Sequence, residues 1–141
     1  MEPGLRIVVV EPDDDYLGIE IRAASGRFAG SARIYAGLNE LSDFASEIAG
    51  FPKTPADQRK HEFGSSDAKA AGGYVCICFR CLDGAGHALL EVLIEDDDQL
   101  HPAASAEFSL PVLAADLDRF VEDLHALERA RQGAAVLRAA G

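Results

Sequence analysis

The sequence predicts an α+β fold: a mostly antiparallel sheet built from two β-meanders, each followed by an amphipathic helix. Three observations carry this. Short β-prone runs recur with turn residues between them, two stretches place apolar residues at helical spacing, and each such stretch follows a group of strands.

Leu5–Val10 is a continuous β-prone run, and Pro12 with Asp13, Asp14 and Asp15 forms the turn after it. In the next stretch Leu17, Ile19, Ile21 and Ala23 face one way while Tyr16, Gly18, Glu20 and Arg22 face the other, as on a half-buried strand. Ser25-Gly26 makes a tight hairpin into Phe28–Tyr35. Leu38, Leu41, Phe44, Ala45 and Ile48 then fall on one helical face, with Gly50 as the stop and Pro52 just beyond. Phe51 to Gly73 reads as irregular, broken by Pro52, Pro55, Ser65-Ser66 and Gly72-Gly73, with a short strand at Lys60–Phe63. Two long strands follow, Tyr74–Leu82 and Ala88–Glu95, joined by Asp83-Gly84-Ala85-Gly86. After the polar turn from Asp96 to Gln99 comes a last strand near Ala104–Leu110. The final helix, about Leu113–Arg131, carries the stripe Leu113, Leu117, Phe120, Val121, Leu124 and Leu127. Residues 133–141 read as an Ala-rich tail that frays.

The two strand-to-helix junctions align at a constant offset: Ala32, Ile34, Leu41, Phe44, Ala45 and Ile48 against Phe108, Leu110, Leu117, Phe120, Val121 and Leu124. An internal duplication would produce this. Any strand feeding an amphipathic helix produces it too, and the strands upstream do not keep the match, so the commoner explanation is preferred.

A chain of 141 residues is of modal domain size and buries about 68% of its unfolded surface, which predicts one domain with one core. The apolar fraction of 48% excludes a disordered chain, and no apolar run approaches the ~20 residues needed to cross a bilayer. Met1-Glu2-Pro3-Gly4 lacks the positive charge of a signal peptide, and three cysteines crowded in one segment make a poor disulfide framework. A cytoplasmic location is the expectation. With 24 acidic against 13 basic residues the formal net charge is −11. That charge repels phosphate backbones and favours basic partners, so nucleic acid is not expected as a partner and neither is a membrane.

Cys76, Cys78 and Cys81 spell C-x-C-x-x-C, the form of a metal or redox motif. On a strand, Cys76 and Cys78 point one way and Cys81 the other, so the sulfurs do not converge, and core packing is the preferred account. The histidines at 61, 87, 101 and 125 show no paired spacing. His61 stands out because Asp57, Arg59, Lys60 and Glu62 surround it in the irregular segment; a solvated edge strand is weighed there against acid–base chemistry. Asp13–Asp15 and Asp96–Asp98 lack the alternate carboxylates and closing glutamate of a calcium loop. No phosphate loop and no nucleophile elbow is present in the sequence. No cofactor, metal or catalytic residue is assigned.

The strand Ala88–Glu95 carries Ala88, Leu90, Val92 and Ile94 on one face but Leu89 and Leu93 on the other. Tyr74, Cys76, Cys78 and Leu82 make the second face of its neighbour apolar too. Such a sheet needs two covers: helices on opposite faces, a partner, or a second copy.

The stretch Gly26-Arg27-Phe28-Ala29-Gly30-Ser31-Ala32-Arg33-Ile34-Tyr35, with Leu38, Leu41 and Phe44 and then Gly50-Phe51-Pro52, resembles a group of small bacterial proteins. Asp57, Phe63-Gly64, Gly72-Gly73 and Gly86-His87-Ala88 extend the likeness over most of the chain. The group's pattern is similar to the WapI family of immunity proteins, which neutralise contact-delivered toxins. The resemblance implies a non-enzymatic inhibitor of a basic toxin or nuclease and offers no catalytic motif to match. On that expectation Asp96, Asp97, Asp98, Asp116, Glu122 and Asp123 steer and contact a cationic partner, with Tyr35 and Tyr74 as apolar anchors. The alternative is a homodimer with a small-ligand pocket.

Overall fold

The computed structural model describes residues 2–64, 72–97 and 101–140. Its elements run β1 (Gly4–Pro12), β2 (Leu17–Ala24), β3 (Ala29–Ala36), α1 (Glu40–Ile48), β4 (Gln58–Gly64), β5 (Tyr74–Cys81), β6 (His87–Asp96), β7 (Ala104–Leu113), α2 (Ala114–Ala130) and β8 (Gly133–Arg138). The α+β class stands, with its meanders and following helices, but the strands divide into two four-stranded antiparallel sheets, ordered β3-β2-β1-β8 and β4-β5-β6-β7. Except on β4, each strand's inner set is the apolar alternation of its sequence. Leu17, Ile19, Ile21 and Ala23 are buried on β2, as are Ala88, Leu90, Val92 and Ile94 on β6.

The order of strands reveals a repeat. A meander of three strands, a helix and a fourth strand make up β1–β4 with α1, and the same series makes up β5–β8 with α2. In both, the fourth strand leaves its own meander and pairs with the first strand of the other: β4 with β5, and β8 with β1. The ladders fix which residues correspond. Ile7 takes the place of Ile77, Ile19 that of Leu90 and Ile34 that of Leu110, so the offset grows from 70 to 71 to 76. Longer hairpins in the second half cause the drift, which is why the upstream strands fail to match at one constant offset. Corresponding residues meet along the approximate dyad. The Phe44 and Phe120 rings lie edge to face at 6.2 Å, and a Cβ placed on Gly30 would stand 3.2 Å from that of Ala106. The duplicated architecture, set aside from sequence, is the organising principle of the fold.

One core joins both halves. Leu41, Phe44, Ala45 and Ile48 of α1 and Leu117, Phe120, Leu124 and Leu127 of α2 pack in the same cluster as the inner faces of both sheets. The helices therefore do not lie on opposite faces of the second sheet. Its outer face, with Tyr74, Cys76, Cys78, Leu89 and Leu93, is only half-buried. The expected fraying tail is also corrected. Gly133–Arg138 is a strand that buries Ala135 and Leu137 and pairs with Gly4–Val9. Tertiary pairing with β1 overrides the weak β-propensity of its alanines.

The two helices are tied by a cap from a distance. Asn39 at the start of α1 makes no side-chain cap. Instead the Glu128 carboxylate of α2 accepts the Ser42 hydroxyl and, at 3.4 Å, the Ser42 backbone N–H. An acid in this place satisfies orphan donors and complements the helix dipole. Among the described residues no helix is long and apolar enough to cross a membrane.

Candidate functional site

β4 turns Arg59, His61 and Phe63 inward beneath α1, because alternate residues of a strand share a face. Each meets a different level of the helix. Phe63 is fully buried against Phe44, with ring centroids 5.2 Å apart. Arg59 closes the C-terminal end of α1, donating from Nη1 to the carbonyl oxygens of Glu47 (2.8 Å) and Ala49 (3.1 Å). Its Nε and Nη2 donate to Asp57 at 2.9 and 2.8 Å, and Asp57 also accepts the Lys53 N–H. The Arg59 hydrogen bond, helped by Lys53, holds the Asp57 carboxyl down to about 2. This part of the charged segment is a structural clamp. Lys60 and Glu62 point outward as an exposed pair at 3.1 Å, 60% and 51% accessible.

His61 sits between these two levels. Its side chain is only 10% exposed, packed on Phe44 (5.1 Å) and Phe63 (4.4 Å). Nδ1 lies 2.7 Å from Glu47, and Nε2 lies 3.5 Å from Glu40 without hydrogen-bond geometry. Burial pushes the imidazolium down, but Glu40 and Glu47 together outweigh it, so the pKa stands above the ordinary histidine value. A general acid–base needs a nitrogen that substrate can reach. Here Nε2 is buried and Nδ1 is engaged by Glu47.

Above His61 opens a groove lined by Leu38, Asn39, Glu40, Asp43, Ser46 and Glu47. The three carboxylates lie along one helical face, and among the described residues no lysine or arginine lines the groove. Its dyad mate lies between α2 and β8. There Asp116 corresponds to Glu40 and Asp123 to Glu47, but Arg119 takes the place of Asp43, and Ala135 that of His61. With Arg138 also lining it, the second groove contains its own countercharges.

The residues expected from sequence are dispersed. Tyr35 stands 53% exposed on the outer face of β3, edge-on to Tyr16 at 5.4 Å. Tyr74 opens β5 on the outer face of the other sheet, where burial first, and then Cys76 and Glu62, push its hydroxyl up to about 12. Asp96 ends β6 beside Ala29–Ser31, Asp97 follows it, and Asp98 lies outside the described residues. Asp116 and Asp123 line the second groove, and Glu122 is exposed on α2. The structure unites two of the eight in one place. The groove over His61 was missed because its acids and its histidine are far apart in sequence; the carboxylates at positions 40, 43 and 47 were the available signal.

Cys76 and Cys78 lie on the outer face, and the Cys81 thiol turns elsewhere, 3.7 Å from the Thr54 carbonyl oxygen. Burial, and then Glu91, push the Cys78 thiol up, which lowers its reactivity. His87 is paired with Asp83 at 2.7 Å within the β5–β6 turn. Among the described residues no group of histidine, cysteine or acids is arranged to hold a metal ion.

Comparison with family models, with curated proteins and with solved structures finds no match for this chain. The fold itself defines a class: an α+β protein of two interlocked repeats, each presenting an acidic helix beside an exchanged strand. The two repeats of this chain differ in their grooves: a histidine lies beneath the carboxylates of one, and two arginines line the other.

Proposed function

We propose that this protein is a non-catalytic binding protein for a basic protein partner. The observation that carries the reading is the α1 groove, where Glu40, Asp43 and Glu47 share one open face with no lysine or arginine among the described residues, on a chain of net charge −11. Under the resemblance to the WapI family, the partner is a basic toxin or nuclease whose cationic surface is masked. Asp96, Asp97, Asp116, Glu122 and Asp123 then act at long range, raising the association rate and making it salt-dependent. The test is affinity capture of the tagged protein from its native lysate with low- and high-salt washes, read by mass spectrometry. One basic protein retained at low salt and reduced at high salt supports the reading. A partner whose association rate ignores ionic strength overturns its electrostatic basis.

A second reading is favoured by the half-buried outer face of β5 and β6, with Tyr74, Cys76, Cys78, Leu89 and Leu93. A face of that composition suits a second copy of the chain. Sedimentation equilibrium decides it: a monomer at high concentration removes the dimer.

A further inference from the structure

We infer that the α1–β4 groove is the seat for an arginine-bearing segment of the basic partner, and that His61 is the countercharge this segment displaces. The inference rests on the reading of a basic partner and specifies where and how it docks. The repeat supplies an internal control. Two grooves at corresponding places differ in charge: the second holds Arg119 and Arg138 among its acids, whereas among the described residues the first has only His61 to balance Glu40, Asp43 and Glu47. In the second repeat Ala135 fills the strand position of His61 and is fully buried, so the core does not require an imidazole there.

The carboxylates at positions 40, 43 and 47 extend about 10 Å along the helix, matching about three residues of extended chain. Guanidinium forks suit them, since Arg donates to carboxylates in pairs. Leu38, partly exposed at the groove's edge, can receive the aliphatic stem. Nε2 of His61 is buried, faces Glu40 at 3.5 Å and has no hydrogen-bond partner.

The titratable groups facing His61 are Glu40 and Glu47, both from α1. β5 alongside presents Ile77, and β3 meets β4 through Ile34 near Gly64. A proton on His61 therefore competes with an incoming cation for the same two carboxylates. Binding tightens as His61 loses its proton, and bound cation favours the neutral ring in return.

The test uses a hexaarginine peptide as probe, titrated into the whole protein at low salt and followed by calorimetry and by the NMR signals of the His61 ring. The expected result is binding that tightens from about pH 6 to about pH 8. His61→Gln should abolish that dependence. The double variant Glu40→Gln/Glu47→Gln should bind about tenfold more weakly. So should Asp43→Arg, which installs the charge of Arg119 at an exposed position and leaves the His61 contacts intact. Asp116→Asn/Asp123→Asn, which removes only long-range attraction, should weaken binding far less than the α1 pair does. Peptide binding that is untouched by the α1 variants, or weakened equally by the α2 pair, overturns this inference while leaving the basic-partner reading standing. A parent protein that does not bind the peptide at all overturns both.

Discussion

Truncating Phe44 tests whether the two repeats share one core. Phe44 is fully buried and meets Phe63, Phe120 and His61 at ring separations of 5.2, 6.2 and 5.1 Å. Phe44→Ala removes a ring from the crossing point of the approximate dyad, where backbone and helices from both halves surround it and limit collapse. The expected loss is about 4 kcal/mol, transfer and cavity together. For a chain of 141 residues that lowers Tm by about 12 °C. Because Phe120 is its counterpart, Phe120→Ala should cost a similar amount, and the double variant should reveal about 1 kcal/mol of coupling from the edge-to-face pair. Urea unfolding followed by far-UV circular dichroism is the assay, since the chain has no tryptophan. All variants should unfold in one transition. A loss below about 1.5 kcal/mol, or separate transitions for the two halves, would refute the shared core.

Three further outcomes follow from the same geometry. The folded pKa of His61 is raised above its unfolded value of about 6.5, so its contribution is full below that pH and is lost as pH rises through the folded pKa. The stability gap between the parent and His61→Gln should therefore narrow on raising the pH from about 6 to about 9, and a gap constant in pH would count against the ion pairing. Arg59→Ala removes the C-terminal closure of α1 and the clamp on Asp57, at a cost of about 2 kcal/mol, and should bring early proteolytic cleavage between Gly50 and Asp57; unchanged cleavage kinetics would contradict the clamp. Ending the chain at Arg131 removes β8 and bares the β1 edge with Leu5 and Ile7; the product should aggregate on expression, whereas a soluble, fully stable product would restore the idea of a frayed tail.

Legibility in the sequence followed the range of the interactions. The alternation of β2 and the stripes of both helices depend on neighbours a few residues away, and they were read correctly except for Leu38 and Leu113, which precede the helices and are exposed. β8 was not, because Gly133-Ala134-Ala135-Val136-Leu137-Arg138 carries little strand propensity of its own and becomes a strand through β1, at the opposite end of the described chain. The repeat was visible only where both halves keep equal spacing, from β3 into α1 and from β7 into α2; hairpins of unequal length hid the rest. The groove was the least legible. Glu40, Glu47 and His61 come from a helix and an edge strand, and nothing local states that β4 turns its odd-numbered residues beneath α1. The α2 acids were legible as a ridge, but Arg138, which lines the same groove, arrives on the strand that was missed.

The exchange of fourth strands also orders events in time. β4 can join β5 soon after both are made, closing the second sheet from neighbouring segments. β1, made first, holds an open edge until β8 emerges from the ribosome, more than a hundred residues later. Such distant pairing carries a large loop-closure cost and slows folding. During synthesis the first meander is a template with one side unfilled, and it must be kept from pairing with another nascent chain until its own last strand arrives.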